Sequence, residues 1–335
     1  MSGSCCSLDP PRVKGLAGGA ASESVPACYS LFDQAVPVKL VPRRRIAGTL
    51  LKQGQECLRP VICADMNQAP DYIMDDPREG QRLLDKVDAP AWIAKYFNEH
   101  LQGAKSILSV GCGPAVFLRE MAEIRPDAEF VGVDLSAERI QDGQARLRGL
   151  PNARVQIGDV QALPFESGSF DFVFCRFLME YLPDKQLALR EMVRICREGG
   201  KILLQDLDGQ LVWHFPEDPE LQQTIERVVS RLASTGFDPF VGRKLFHLCF
   251  EAGLAEINVQ IDPYHLYAGS IVEEQLQLWR TKLEIAKPQL KKALGGDEAA
   301  VKFSERFLAY LRRPDTLTYS CLFTVLGTKP ARTGH

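Results

Sequence analysis

The stretch Ile107-Leu-Ser-Val-Gly111-Cys-Gly113-Pro-Ala115, followed by Phe130-Val-Gly-Val-Asp134-Leu-Ser136, reads as a strand, a glycine turn, a helix, a second strand and an acid. This is the front half of a nucleotide-binding α/β unit. The apolar run ends at Gly111 and Gly113, where the absence of a Cβ lets backbone N–H groups approach a ligand closely at the start of the next helix. A dinucleotide fingerprint needs a further glycine at the sixth position of the turn, where helix and strand close around a pyrophosphate. Counting from Gly111, that position is Val116.

A ligand with a ribose and no phosphate therefore suits the turn better. Asp134, at the end of the second strand, is placed to accept hydrogen bonds from two ribose hydroxyls. S-adenosylmethionine is such a ligand.

Working outward, 335 residues with 45% hydrophobic and 25% charged side chains form an ordinary globular chain with ample material for a core. One large domain with an elaboration is expected. A net charge of -3 and a pI near 6.0 give no basic field for nucleic acid, and the basic run Arg43-Arg44-Arg45 is short. A small-molecule substrate is favoured. No stretch approaches the roughly 18 to 20 continuous apolar residues of a membrane span, and the N-terminus lacks a charged-then-apolar signal layout, so a cytoplasmic location is expected. Of the ten cysteines, Cys112, Cys175, Cys196 and Cys249 fall inside predicted core elements. There is no C-x-x-C, and Cys5-Cys6 lies in a Ser/Gly/Pro-rich tail, so reduced thiols and no metal site are expected.

Residues 1–65 read as an N-terminal arm, partly disordered, and residues 66–104 as a helical cap. In the cap, Pro77 suits the first turn of a helix with Leu83, Leu84 and Val87 on its apolar stripe. A second amphipathic helix after Pro90 carries Trp92, Ile93, Tyr96, Phe97 and Leu101. Residues 105–262 then alternate: strands 107–111, 129–134, 154–158, 171–175 and 200–206, with helices 115–125, 137–148 and 185–197. Alternating βα units specify a doubly wound, Rossmann-like α/β fold, here with seven strands, mostly parallel, the last antiparallel. Helices over 220–232 and 242–252 and a strand over 255–261 continue the series. Residues 263–316 read as a helical insertion with two helices between 268 and 316. It forms a lid over the carboxyl edge of the sheet or a dimer contact. A final core strand, 317–327, and a tail to 335 close the chain, which is expected to be a monomer or homodimer.

Residues from about 90 to 210, and more weakly the strands to 327, resemble a class I S-adenosylmethionine-dependent methyltransferase of the small-molecule kind that includes quinone and natural-product methyltransferases. The resemblance is carried by Val110-Gly-Cys-Gly-Pro, Val133-Asp134, Gly158-Asp159-Val160, Ser169-Phe-Asp171-Phe-Val-Phe, Arg190-Glu191 and Glu198-Gly199-Gly200, in order and at the family's spacing. It implies that Gly111, Cys112 and Gly113 pass under the methionine part of the cofactor. Asp134, with Leu135 beside it, holds the ribose. Asp159 accepts from the adenine amino group near the Val160 N–H, and Phe165, Cys175 and Arg176 border the site. Two departures stand out: Ser109 replaces a usual acid, and Ala115 a common third glycine.

Methyl transfer asks the protein to align a nucleophile, exclude water and, for some acceptors, remove a proton. The catalytic candidates are Glu180, His214 and His265, with Asp206 and Asp208 also near carboxyl ends of strands. Glu180-Tyr181 occupies a place where the resembling family has a substrate-side Glu-His or Glu-Tyr pair, although packing or a helix start explains it equally. Each histidine sits among apolar residues and is read alternatively as packing. Tyr72, Tyr181, Trp213, Tyr264 and Tyr267 are the substrate-side candidates, with Phe215 beside them. Lid core is the competing reading for the aromatics past strands five and six, and an exposed helix face for Tyr72 and Arg82. The expected activity is methylation of an O, N or C nucleophile. The alternatives are a catalytically silent cofactor-binding protein and an arsenite methyltransferase. The latter's usual cysteine after strand four falls near Phe177 here.

Overall fold

The computed structural model describes residues 88–331 apart from Thr235, with Gln210, Leu211 and Val212 described by their backbone alone. The expected N-terminal arm, most of the expected cap, and the candidates Tyr72 and Arg82 lie outside the described residues. Among the described residues one sheet contains β1 (Ser106–Val110), β2 (Glu129–Asp134), β3 (Ala153–Ile157), β4 (Phe170–Arg176), β5 (Cys196–Phe215), β6 (Ala255–Ala268) and β7 (Leu317–Thr328). Their spatial order is β3-β2-β1-β4-β5-β7-β6. β1 to β5 pair in parallel, and β7 runs antiparallel to both β5 and β6.

The helices are α1 (Ala89–Tyr96), α2 (Asn98–Leu101), α3 (Val116–Ile124), α4 (Ala137–Arg146), α5 (Lys185–Ile195), α6 (Pro219–Ala233), α7 (Leu245–Glu251), α8 (Glu273–Ile285), α9 (Lys287–Leu294) and α10 (Asp297–Leu311). Short polar caps start several of them. Asp88, Ser136, Asp184 and Asp218 each accept a hydrogen bond from the N–H three residues on, satisfying donors that a helix start leaves orphaned.

Strand residues alternate between two cores. Ile107, Phe130, Phe172, Phe174 and Leu203 face α1, α3 and α4 through Ile93, Leu118, Met121 and Ile140. Leu108, Val110, Val131, Val133, Val173 and Leu204 face α5 and α7 through Leu189, Met192, Leu245 and Leu248. Helices therefore cover both faces, which is why these strands read as continuous apolar runs.

Three features depart from the sequence expectation. β5 runs on to Phe215 because β7 pairs along it as far as Leu317. β6 runs on to Ala268 in the same ladder, so residues 263–268 belong to the sheet rather than to the helical insertion. The insertion contains three helices, not two: Pro288 sits in the first turn of α9, and Gly295, left-handed at φ 89, ends it. These helices pack with α6 around a third core of Leu221, Ile225, Trp279, Leu283, Phe303 and Phe307.

Gly132, in mid-β2, is where the glycine turn bears on the sheet. A Cβ there would lie 2.6 Å from Leu118 Cδ1 and 2.7 Å from Cys112 Sγ. Gly132→Ala is expected to destabilise the fold by about 1–3 kcal/mol through overpacking, read as a lower urea midpoint at unchanged m-value.

Candidate active site

The strand order reverses between β1 and β4, so the carboxyl ends of these strands open a crevice. The turn leaving β1 borders it. Gly111 and Gly113 have φ of 66° and 52°, a backbone region that glycine enters without cost. A Cβ on Gly111 would approach Leu178 Cδ2 to 3.1 Å. Ala115 shares the left-handed conformation, at φ 60°, and starts α3 without a side-chain cap.

Asp134 holds this turn. One carboxylate oxygen accepts from the Gly113 N–H at 2.8 Å, and the other accepts from the Ser136 N–H at 3.0 Å. Each oxygen retains a second lone pair. Leu135 is 59% exposed and Ile157, the register partner of Asp134 on β3, is 56% exposed, so two apolar side chains stand in the open beside the acid. Asp159 is exposed and caps its own turn, accepting from the Gln161 N–H at 2.8 Å. Val160 is buried beneath it. The Cys112 thiol turns down toward Gly132, and that of Cys175 lies in the core, so each leaves only its backbone to face the crevice.

Burial raises the described thiols, pushing Cys196 to about 11 and Cys249 to about 12. Cys175, also desolvated, is raised well above the ordinary thiol range. These sulfurs stay protonated at neutral pH. The thiolate ligation needed for the metalloid reading finds no support among them.

Past β4, Met179–Tyr181 form a 3-10 turn. Glu180 is 2% exposed and Asp206 is fully buried, with the Glu180 N–H donating to Asp206 Oδ2 at 3.2 Å. Burial pushes the Asp206 carboxyl well above the ordinary carboxylate range, and the Glu180 charge adds to that. N–H donors from Leu207, Glu180 and Met179 pull the other way. Asp208 is committed elsewhere, gripped by Arg243 through Nε at 2.8 Å and through Nη2.

The candidate aromatics and histidines divide into separate groups. Trp213 stacks on Tyr319 at 6.4 Å, and Tyr181 packs against Phe237 at 5.3 Å. His214 meets Thr318 Oγ1 at 3.1 Å and sets its ring against Tyr310 and Phe307. The Tyr267 hydroxyl accepts from Trp279 Nε1 at 3.0 Å. His265, left-handed at φ 48°, lies 5.0 Å from the Trp279 ring. Tyr264 lies 4.3 Å from the His265 ring and also meets Trp92 and Phe177, at 6.2 and 5.8 Å. Tyr264, His265 and Tyr267 share the wall of an open groove of about 480 Å³ with Ile271 and Gln275.

Residues 101–249 match the family described as "Methyltransferase domain". Within residues 101–249 the chain is thus similar to a methyltransferase domain. Among curated relatives, an uncharacterized 37.1 kDa protein from a Streptomyces fradiae transposon is 29% identical over 45% of this chain and 44% of its own length. Methyltransferase str2 of Strobilurus tenacellus is 26% identical over 76% of this chain and 94% of its own. A demethylmenaquinone methyltransferase of Geobacillus kaustophilus is 35% identical over 35% of this chain and 51% of its own. The chain thus spans about half the length of the first and third of these relatives.

The structure brings the glycine turn and Asp134 together. Of the substrate-side and catalytic candidates, Tyr264, His265 and Tyr267 share one groove, which Glu180, Tyr181, Trp213 and His214 do not line. Ile157 stands beside Asp134, and Trp92 and Gln205 meet Arg176, although none of the three is a site candidate in the sequence. Ile157 ends a predicted strand as an apolar residue next to the Gly158-Asp159 motif, a local signal. Trp92 and Gln205 meet across 113 residues of chain, with Nε1 donating to Oε1 at 2.8 Å, and nothing local announces such a pair.

The buried Glu180 and Asp206 pair has a pH signature. An acid whose folded pKa is raised favours folding below its unfolded value, about 4, and that contribution is lost as pH rises through the raised folded value. Asp206→Asn keeps an acceptor for the N–H donors and removes the titration. Its urea midpoint is expected to fall less than the wild-type midpoint as pH rises from about 4 to about 8.

Proposed function

We propose that the protein transfers a methyl group from S-adenosylmethionine to an O, N or C nucleophile of a small-molecule acceptor. The observation that carries this reading is Asp134. A carboxylate fixed by the Gly113 and Ser136 N–H groups, with spare lone pairs toward the crevice, suits a ribose diol. The space above the turn also fits, because nothing lies within 4 Å of the Cβ position of Gly113. In this reading the backbone of Gly111, Cys112 and Gly113 lies under the methionine portion. Leu135 and Ile157 flank the adenine, and Asp159 with the Val160 N–H meets its edge. Cys175 and Arg176 border the methionine end.

When bound, the cofactor supplies a methyl group already activated by its sulfonium. The chain's own work is to hold the acceptor in line, keep water away and take up a proton where the acceptor releases one. Glu180 is the favoured base, because it follows β4 at the carboxyl edge of the sheet, beside Asp206. His265 is the second candidate, on the wall of the groove. His214 is set against the rings of α10 and has a packing role. The Tyr264, His265 and Tyr267 wall favours a planar, apolar acceptor.

Calorimetric titration with S-adenosylhomocysteine tests the cofactor half. Asp134→Ala is expected to weaken binding by about 1–3 kcal/mol, the loss of charge-assisted hydrogen bonds, in protein whose circular dichroism matches the wild type. Unchanged affinity would remove the basis of this reading. Incubation with methyl-labelled cofactor and a metabolite extract tests the transfer half, and binding without any labelled product would favour a silent binding protein.

A further inference from the structure

Arg176, the last residue of β4, is held in an unusual way. Its guanidinium carbon lies 4.1 Å from the Trp92 ring centroid, 4.2 Å from Phe177 and 4.7 Å from Phe117. Its Nε donates to Gln205 Oε1 at 3.2 Å. That same oxygen accepts from Trp92 Nε1 at 2.8 Å, while Gln205 Nε2 donates to Thr324 Oγ1 at 2.7 Å. With both lone pairs of Oε1 used, Gln205 fixes one edge of the guanidinium and has nothing left for the other.

The other edge is unmet. Arg176 Nη2 is buried and has no hydrogen-bond partner among the described residues. Several other arginines of the fold find carboxylates: Arg125 pairs with Asp127, Arg194 with Glu191, Arg243 with Asp208 and Arg306 with Asp218. The aromatic collar attracts the cation through its ring faces but offers no in-plane acceptor for an N–H. A buried donor left so costs free energy that a ligand acceptor would recover. Desolvation lowers the Arg176 pKa to about 10, so it remains a cation at neutral pH. Phe117 belongs to the first turn of α3, directly after the glycine turn, which sets the guanidinium beside the proposed cofactor cradle.

We propose that Arg176 is an anion-binding residue whose free Nη2 edge receives a ligand carboxylate at the methionine end of the cleft. This rests on the methyltransferase reading above. The carboxylate comes from the amino-acid end of the cofactor or from an acidic methyl acceptor, and the same planar, doubly accepting group serves in both cases.

Titration calorimetry on the full chain distinguishes the sources, using S-adenosylmethionine, its decarboxylated analogue, and benzoate added with S-adenosylhomocysteine. If the cofactor supplies the group, wild type binds S-adenosylmethionine about tenfold or more tighter than the analogue. Arg176→Met abolishes that gap and Arg176→Lys restores part of it. If the acceptor supplies it, the two cofactors bind alike, and benzoate binds the wild-type complex but not the Arg176→Met complex. Equal cofactor affinities together with no Arg176-dependent benzoate binding overturn the proposal and leave the methyltransferase reading standing. Failure of both S-adenosylmethionine and S-adenosylhomocysteine to bind wild type sinks that reading and this inference with it. A merely structural arginine would change stability without changing the ratio of the two cofactor affinities.

Discussion

The hydrogen bonds of the Asp134 carboxylate to the Gly113 and Ser136 N–H groups are the constraint on which the crevice depends. They join the turn leaving β1 to the end of β2, so the ligand-facing backbone of one strand is fixed by the side chain of its neighbour. Free turns with three left-handed positions within five residues sample many conformations, and ordering them costs entropy. Here Cys112 N–H to Val133 O and the Asp134 carboxylate bear that cost in the folded protein, before any ligand arrives. A site organised in this way gains affinity because less remains to be ordered on binding.

The opposite wall of the crevice is built on a different principle. Arg176, Gln205, Trp92 and Thr324 form a polar chain that runs through an otherwise apolar layer, bonded at every link but its end. Glu180 and Asp206 form a second buried polar group one residue further along β5. Both lie where the parallel pairing of β4 with β5 ends. Such groups are costly to bury, and their concentration at this edge marks it as the place where the fold gives up stability for chemistry.

What the sequence made legible follows from the range of the interactions. β1, β2 and the glycine turn are local patterns, so Gly111, Gly113 and Asp134 could be read from spacing alone. The continuous apolar runs of β1, β2 and β4 announced a sheet covered on both faces. The three helices of the insertion read as two because Trp279, Leu283, Phe303 and Phe307 give one merged apolar periodicity, which Pro288 and Gly295-Gly296 interrupt only locally. The aromatics after β5 and β6 all looked alike in sequence. Their fates diverged because β5 and β6 continue as ladder strands beyond the parallel sheet, so Trp213, His214 and Tyr267 alternate sides and meet different neighbours. Long-range pairs such as Trp92 with Gln205 leave no local trace at all.

Ala268 and Leu317 are register partners across β6 and β7, so the chain departs into α8 and returns from α10 on the same rung. Topologically, everything between them is one hairpin loop, however large. Loop length costs little entropy once the ends are fixed, and the ladder's pairing does not depend on what hangs from it. This makes the segment an interchangeable module: a graft of other length or composition would leave the strand alignment intact, provided it offers α6 a new apolar surface to cover Leu221, Ile225 and Val228. Diversification of the groove can therefore proceed without touching the cradle.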